Sequence, residues 1–149
     1  MPKQKIYLFI SLFIVAATVI LLVTGSPILT KTLSANSKVP LGNLITWAGF
    51  MALPLSIYFG VNRLYDPKKP RDKTLALLLR FSILLAFLWA PVSYLLAGNP
   101  SFTFSEKATF QGGQSAMKIF WYFSYAIVAF PLLLFIMFGS LNLMFRKRD

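Results

Sequence analysis

The sequence predicts an all-α integral membrane protein: four transmembrane helices in an antiparallel bundle, with both termini cytoplasmic. Three observations predict it. Of 149 residues, 57% are hydrophobic and only 13% are charged, about half the charged share of a soluble domain. Four runs approach or exceed the ~18 apolar residues that mark a membrane span. Finally, ten of the fifteen Lys and Arg residues fall in three places: Lys3 and Lys5, the segment Arg63 to Lys73, and Arg146 to Arg148.

That clustering follows the positive-inside pattern of membrane proteins. It argues against nucleic acid as a partner despite a net charge of +11, and it lays a basic fringe along an anionic leaflet. No loop is long enough for a second folded unit, so one membrane domain over 1–149 is expected.

The first span is read over 6–24. At ~1.5 Å per residue it covers about 28 Å, one bilayer core. It starts like a signal peptide, with Lys3 and Lys5 in front, but its apolar run exceeds the ~7–15 residues of a signal h-region. An uncleaved span is expected. Gly25-Ser26-Pro27 ends it.

The second span is read over 41–62. Trp47 near one end and Tyr58 and Tyr65 near the other fit the aromatic belts of a membrane helix. Gly49 and Gly60 offer small surfaces for close helix approach, and Pro54 removes a backbone donor in mid-span and is expected to kink the helix.

The segment Asp66-Pro67-Lys68-Lys69-Pro70-Arg71-Asp72-Lys73 organises the topology. It is too charged for hydrocarbon. Pro67 and Pro70 are expected to stop both flanking helices, and Asp72 to approach the N-terminus of the third, where negative charge is favoured. Asp66 and Asp72 read as solvated partners of the surrounding basic residues.

The third span is read over 74–97, with a kink at Pro91 and with Arg80 some two turns inside. The second outer loop alternates polar and aromatic residues over Ser101 to Ser105; this fits either a small hairpin or an irregular loop whose Phe side chains dip toward the membrane. The fourth span is read over 118–145, with an aromatic belt at Trp121, Tyr122 and Tyr125, a kink at Pro131 and a basic end. At about 42 Å it must tilt or protrude.

Placing both termini and the 63–73 segment on one side puts ten Lys or Arg there. The opposite loops hold four: Lys31, Lys38, Lys107 and Lys118. Spans two and four share a Trp, Pro, Gly order, but their spacings differ and spans one and three do not match, so no internal repeat is inferred. Expected helix-packing positions are Gly49, Pro54, Gly60, Trp89, Pro91, Trp121, Pro131 and Gly139.

Composition narrows the chemistry. The chain has no Cys and no His, which removes thiolate and imidazole metal sites, Cys nucleophiles and His bases. Its four carboxylates, Asp66, Asp72, Glu106 and Asp149, all fall outside the spans, whereas proton and cation carriers usually place one within the membrane. The membrane Glu of small multidrug transporters and the His pairs of four-helix cytochromes are both missing. Ser105 with Lys107 and Ser115 with Lys118 lack the burial that would activate a Ser–Lys pair. No catalytic, cofactor-binding or metal-binding residue is assigned, and no enzyme activity is expected.

What remains is a non-catalytic accessory or assembly subunit of a larger membrane complex, acting by helix packing and anionic-lipid contact. Its expected partners are other integral membrane proteins, docked on spans two and four, and anionic phospholipids. The expected lipid or partner contacts are Arg63, Lys68, Lys69, Arg71, Arg80, Arg146, Lys147 and Arg148. The alternative is a small homo-oligomeric channel or transporter for an anion or lipid, with Arg80 as its charge. A bacterial plasma membrane is the expected location; a thylakoid or other internal membrane is the alternative.

Overall fold

The computed structural model describes residues 3–34, 38–104 and 110–146, without the side chains of Phe145 and Arg146. Among these residues every regular element is helical. They are α1 (Lys3–Val23), a 3-10 turn (Pro27–Leu29), α2 (Leu41–Gly60), the one-turn α3 (Asn62–Tyr65), α4 (Pro70–Ala97) and α5 (Gly113–Arg146). The helices α1, α2, α4 and α5 are long and apolar enough to cross a membrane.

The ends follow local chemistry. Gly25 closes α1 in the left-handed region, at φ +59°. Its N–H donates to the Leu22 carbonyl and that of Ser26 to the Leu21 carbonyl, the paired bonds of a Schellman ending. The second span breaks two residues before its expected end: Val61 is extended, and the chain restarts as α3. One expectation fails at Pro70. It does not stop a helix but opens α4, because a first-turn residue needs no N–H donor and proline's fixed φ suits that position. The third span therefore begins four residues early. Residues 102–104 form bends rather than a strand, and 105–109 of the expected hairpin lie outside the described residues.

The helix α2 is the hub. It packs against α1, α4 and α5, and α4 packs on α5. Its buried residues include Gly42, Gly49, Ala52 and Pro54, and none of its large apolar side chains is among the exposed ones. The helix α1 is the reverse case. It buries only Ser11 and Thr18, while Phe9, Phe13, Ile20 and Val23 stay exposed. Where Thr18 crosses α2, a Cβ on Gly49 would stand 2.5 Å from the Thr18 methyl, so glycine is what lets the two backbones approach.

Two apolar clusters fill the bundle. One gathers Ile57, Leu64, Leu75, Leu79, Leu134 and Phe138. The other gathers Ala86, Trp89, Phe120 and Ile127, and Phe50 and Phe102 meet the Trp89 ring edge-on at 5.0 and 5.5 Å. Phe102 and Phe110 of the second outer loop thus pack onto the protein's own core.

The helices α2, α4 and α5 each continue through an internal proline. Pro91 lacks the N–H that would bond the Phe87 carbonyl one turn back. The Trp47 indole of α2 donates to that carbonyl at 3.0 Å. In an apolar medium an unpaired carbonyl costs several kcal/mol, so the α2–α4 contact repairs what the proline opens.

Candidate functional site

At the end of the bundle that carries the 66–73 segment, the sequence's basic residues meet its one buried carboxylate among the described residues. Asp72 lies in the first turn of α4 and is 1% exposed. This corrects its reading as a solvated charge. The Arg63 guanidinium donates to Asp72 Oδ2 through Nε at 3.0 Å, with Nη2 at 2.9 Å. Arg71 donates to Oδ1 at 3.3 Å. Burial of the carboxylate is tolerated because two cations and a helix N-terminus share its charge.

The same two arginines converge on α5. Asn142 Oδ1 accepts from Arg63 Nη1 at 2.6 Å and from Arg71 Nη2 at 3.4 Å. The Arg63 guanidinium also lies 5.6 Å above the Phe138 ring, a cation–π contact. From α1, the Gln4 amide donates to the Phe59 carbonyl and to Asn62 Oδ1, both at 2.8 Å. Polar side chains thus tie all the helices together at this one end.

Around the cluster opens a cavity of about 600 Å³. It is lined by Gln4, Asn62, Arg63, Tyr65 and Asp72 together with Asp66, Lys68 and Lys69. Lys68, Lys69 and Asp66 are exposed. A volume in the ~300–1,000 Å³ range is that of small-molecule sites, and the walls offer charge and hydrogen bonds rather than apolar surface alone.

Compared with known protein families, curated proteins and solved structures, the chain matches none. Its function is therefore argued from the site itself.

The other expected contact residues are placed as follows. Arg80 is exposed on α4, with Nη2 3.4 Å from the Tyr58 hydroxyl and its guanidinium 5.8 Å above that ring. It does not line the basic cavity. Arg146 ends α5; Lys147 and Arg148 lie outside the described residues. Among the packing positions, Pro54 and Pro131 are fully buried. So is Trp89, whose indole donates to Ser124 Oγ at 2.8 Å. A Cβ added at Gly60 would meet Leu8 at an ordinary 3.4 Å, and one at Gly139 would meet nothing within 4 Å. Pro91 is exposed, and Trp121 is exposed and stacks on Tyr125.

Sequence reasoning missed Gln4, Asn62 and Asn142 as site residues, and it missed the burial of Asp72. One signal for Asp72 was present: a carboxylate one turn into a helix, in a segment with more arginines and lysines than acids to pair them. No comparable signal marks Asn142.

A second cavity, about 270 Å³, lies toward the opposite end between Trp47, Leu44, Ala90, Pro91 and Phe102. Its walls are nearly all apolar.

Proposed function

We propose that this protein is a non-catalytic accessory or assembly subunit of a larger membrane complex, holding neighbours through its outer helix faces and anionic phospholipid through its basic end. The observation that carries the reading is the uneven use of the helices. The core is closed by α2, whose large apolar side chains are covered by the chain's own helices. The apolar side chains left over stand on α1, α4 and α5, most of them on α1 and α5: Phe13, Val23, Leu77, Leu95, Tyr122, Leu133, Ile136 and Leu143 are each more than 60% exposed. In this reading the proposed docking faces are α1 and α5 (the fourth span), in place of the second span, whose large apolar side chains are covered.

An antiparallel bundle with both termini cytoplasmic fits this reading. Its support is the register of the contacts: Gln4 meets Asn62 while Thr18 meets Ile45, and Trp47 meets Phe87 while Arg63 meets Asp72. The basic clustering adds support for sidedness, and the bacterial plasma membrane remains the proposed location. The channel reading has less behind it, since Arg80 rests on Tyr58 at the surface and lines neither cavity described above.

The test is the mass of the native assembly. Extracted in mild detergent from its own membrane and separated by size, the chain should migrate with other integral membrane proteins in one large complex. A small symmetric homo-oligomer would refute the accessory reading and make Arg80→Ala flux measurements the next step.

A further inference from the structure

The basic cavity is not simply basic. Its lining carries Arg63, Lys68 and Lys69 against Asp66 and Asp72, three cations and two anions, a net of +1. Asp72 is committed to the two arginines. Asp66 is not: among the described residues its carboxylate has no ion pair or hydrogen bond, and the same holds for the ammonium groups of Lys68 and Lys69. A site built for phosphate alone gains nothing from a free carboxylate in its lining, which repels the ligand and lowers the field of the lysines. A site for a headgroup carrying both a phosphodiester and a primary amine uses every one of these groups.

We propose that the cavity recognises the headgroup of an aminophospholipid. Lys68 and Lys69 take the phosphodiester, as compact ammonium donors to phosphate oxygens. Asp66 takes the headgroup ammonium. Asp72 stays with the arginines as the fixed floor and makes no ligand contact. The inference rests on the lipid-binding part of the function proposed above and narrows it to one headgroup class. It also accounts for the place of the cavity at the basic end, where a helix-bounded pocket meets the headgroup layer.

The comparison that tests the amine uses two lipids of equal net charge and reads them against Asp66→Asn. Phosphatidylserine and phosphatidylglycerol each carry one net negative charge; the first adds an ammonium and a carboxylate to its phosphodiester, and of these only the ammonium is attracted by Asp66. The delipidated full chain is titrated with each in detergent, and bound lipid is counted by native mass spectrometry. Soluble phosphoethanolamine is added as a competitor in a third arm. The wild type should prefer phosphatidylserine by about fivefold, the upper end of what a solvent-exposed ion pair supplies. Asp66→Asn should bring the two lipids within about twofold by weakening phosphatidylserine and strengthening phosphatidylglycerol. The Lys68→Ala/Lys69→Ala double variant should weaken both. All three positions are exposed, and an unchanged melting profile by circular dichroism confirms each variant's fold.

The outcomes separate the two claims. An unchanged lipid ratio in Asp66→Asn overturns the aminophospholipid inference and leaves general lipid binding standing. Undiminished binding of both lipids in the double lysine variant overturns lipid binding at this cavity altogether. Binding of phosphoethanolamine with no binding of either lipid shows a free metabolite site and overturns the lipid source.

Discussion

Replacing Asp72 by Asn keeps the side chain's shape and removes its charge, so it tests whether the ionic cluster clamps the bundle. Removing one partner of a fully buried ion pair costs about 3–5 kcal/mol, because the remaining charge is left without compensation. Here the carboxylate is buried but the arginines are not sealed: the side chains of Arg63 and Arg71 keep 43% and 27% of their exposure. Each can turn toward water, which moves the cost toward the ~0–1 kcal/mol of surface pairs. Asn142 still accepts from both. A loss of about 2–3 kcal/mol is expected between those limits. The assay is reversible unfolding in mixed detergent micelles, followed by circular dichroism, with Arg63→Met and the double variant completing a cycle. The coupling between the two sites should exceed ~1 kcal/mol, as for directly bonded partners. A loss below ~0.5 kcal/mol, the usual size for an unremarkable surface change, would refute the claim that this cluster holds α3, α4 and α5 together.

Three further substitutions probe the packing by the same unfolding assay. Trp47→Phe keeps the ring but removes the N–H that reaches the Phe87 carbonyl; a loss of about 1–2 kcal/mol is expected, above the ~0.6 kcal/mol average for membrane hydrogen bonds, because Pro91 leaves that carbonyl no helical donor. Gly49→Ala drives a methyl to within 2.5 Å of Thr18 and should cost about 1–3 kcal/mol as overpacking; pairing it with Thr18→Ser removes the nearest atom but leaves the hydroxyl oxygen and Cβ at 2.8 and 2.9 Å, and should recover only part of the loss. Gly139→Ala meets nothing within 4 Å and should stabilise α5 by about 0.5–1 kcal/mol through helix propensity, with destabilisation indicating that a neighbour or partner uses that gap.

The spans were legible because length and apolarity are local properties. Each long helix was found within a few residues, and the shifts at the ends have specific causes. Pro70 begins a helix because the first turn does not need its N–H, a fact the stop-signal reading of proline overlooks. Val61 breaks the second span directly after Gly60, a poor helix former that the sequence reading used only as a packing position; the break leaves Arg63 against Asp72, a contact with α4 that periodicity does not encode. The site was half legible. Lys68, Lys69 and Arg63 could be chosen because charge cannot enter hydrocarbon. Asn142 could not, because an amide near the end of an apolar helix has the same local signature whether it faces water or a guanidinium.

The two ends of the bundle are secured by different physics, and this bears on how the protein would join an assembly. At the basic end, Gln4, Arg63, Arg71, Asp72 and Asn142 fix the helices by charge and hydrogen bonds. Toward the other end the fixings are rings and amides: Trp89 on Ser124, Trp47 on Phe87, and Asn43 donating to the Pro100 carbonyl at 2.9 Å. The helix α1 shares least in either set. It holds α2 through Gln4 at one end and Thr18 toward the other; between them Tyr7 lies against the Phe59 ring at 5.3 Å, and only Ser11 is buried. A helix that buries only Ser11 and Thr18 and leaves apolar surface on most of its circumference gains most from a neighbour in the membrane. The larger part of that gain must come from shape, since hydrocarbon tails already solvate Leu and Phe. Partner docking on α1 should therefore tolerate exchange of one large apolar residue for another of like volume at Phe9, Phe13 or Ile20, and fail when those positions are trimmed to Ala together. Comigration with the native complex distinguishes the two, and an all-Ala α1 face that still assembles would move the docking surface to α5.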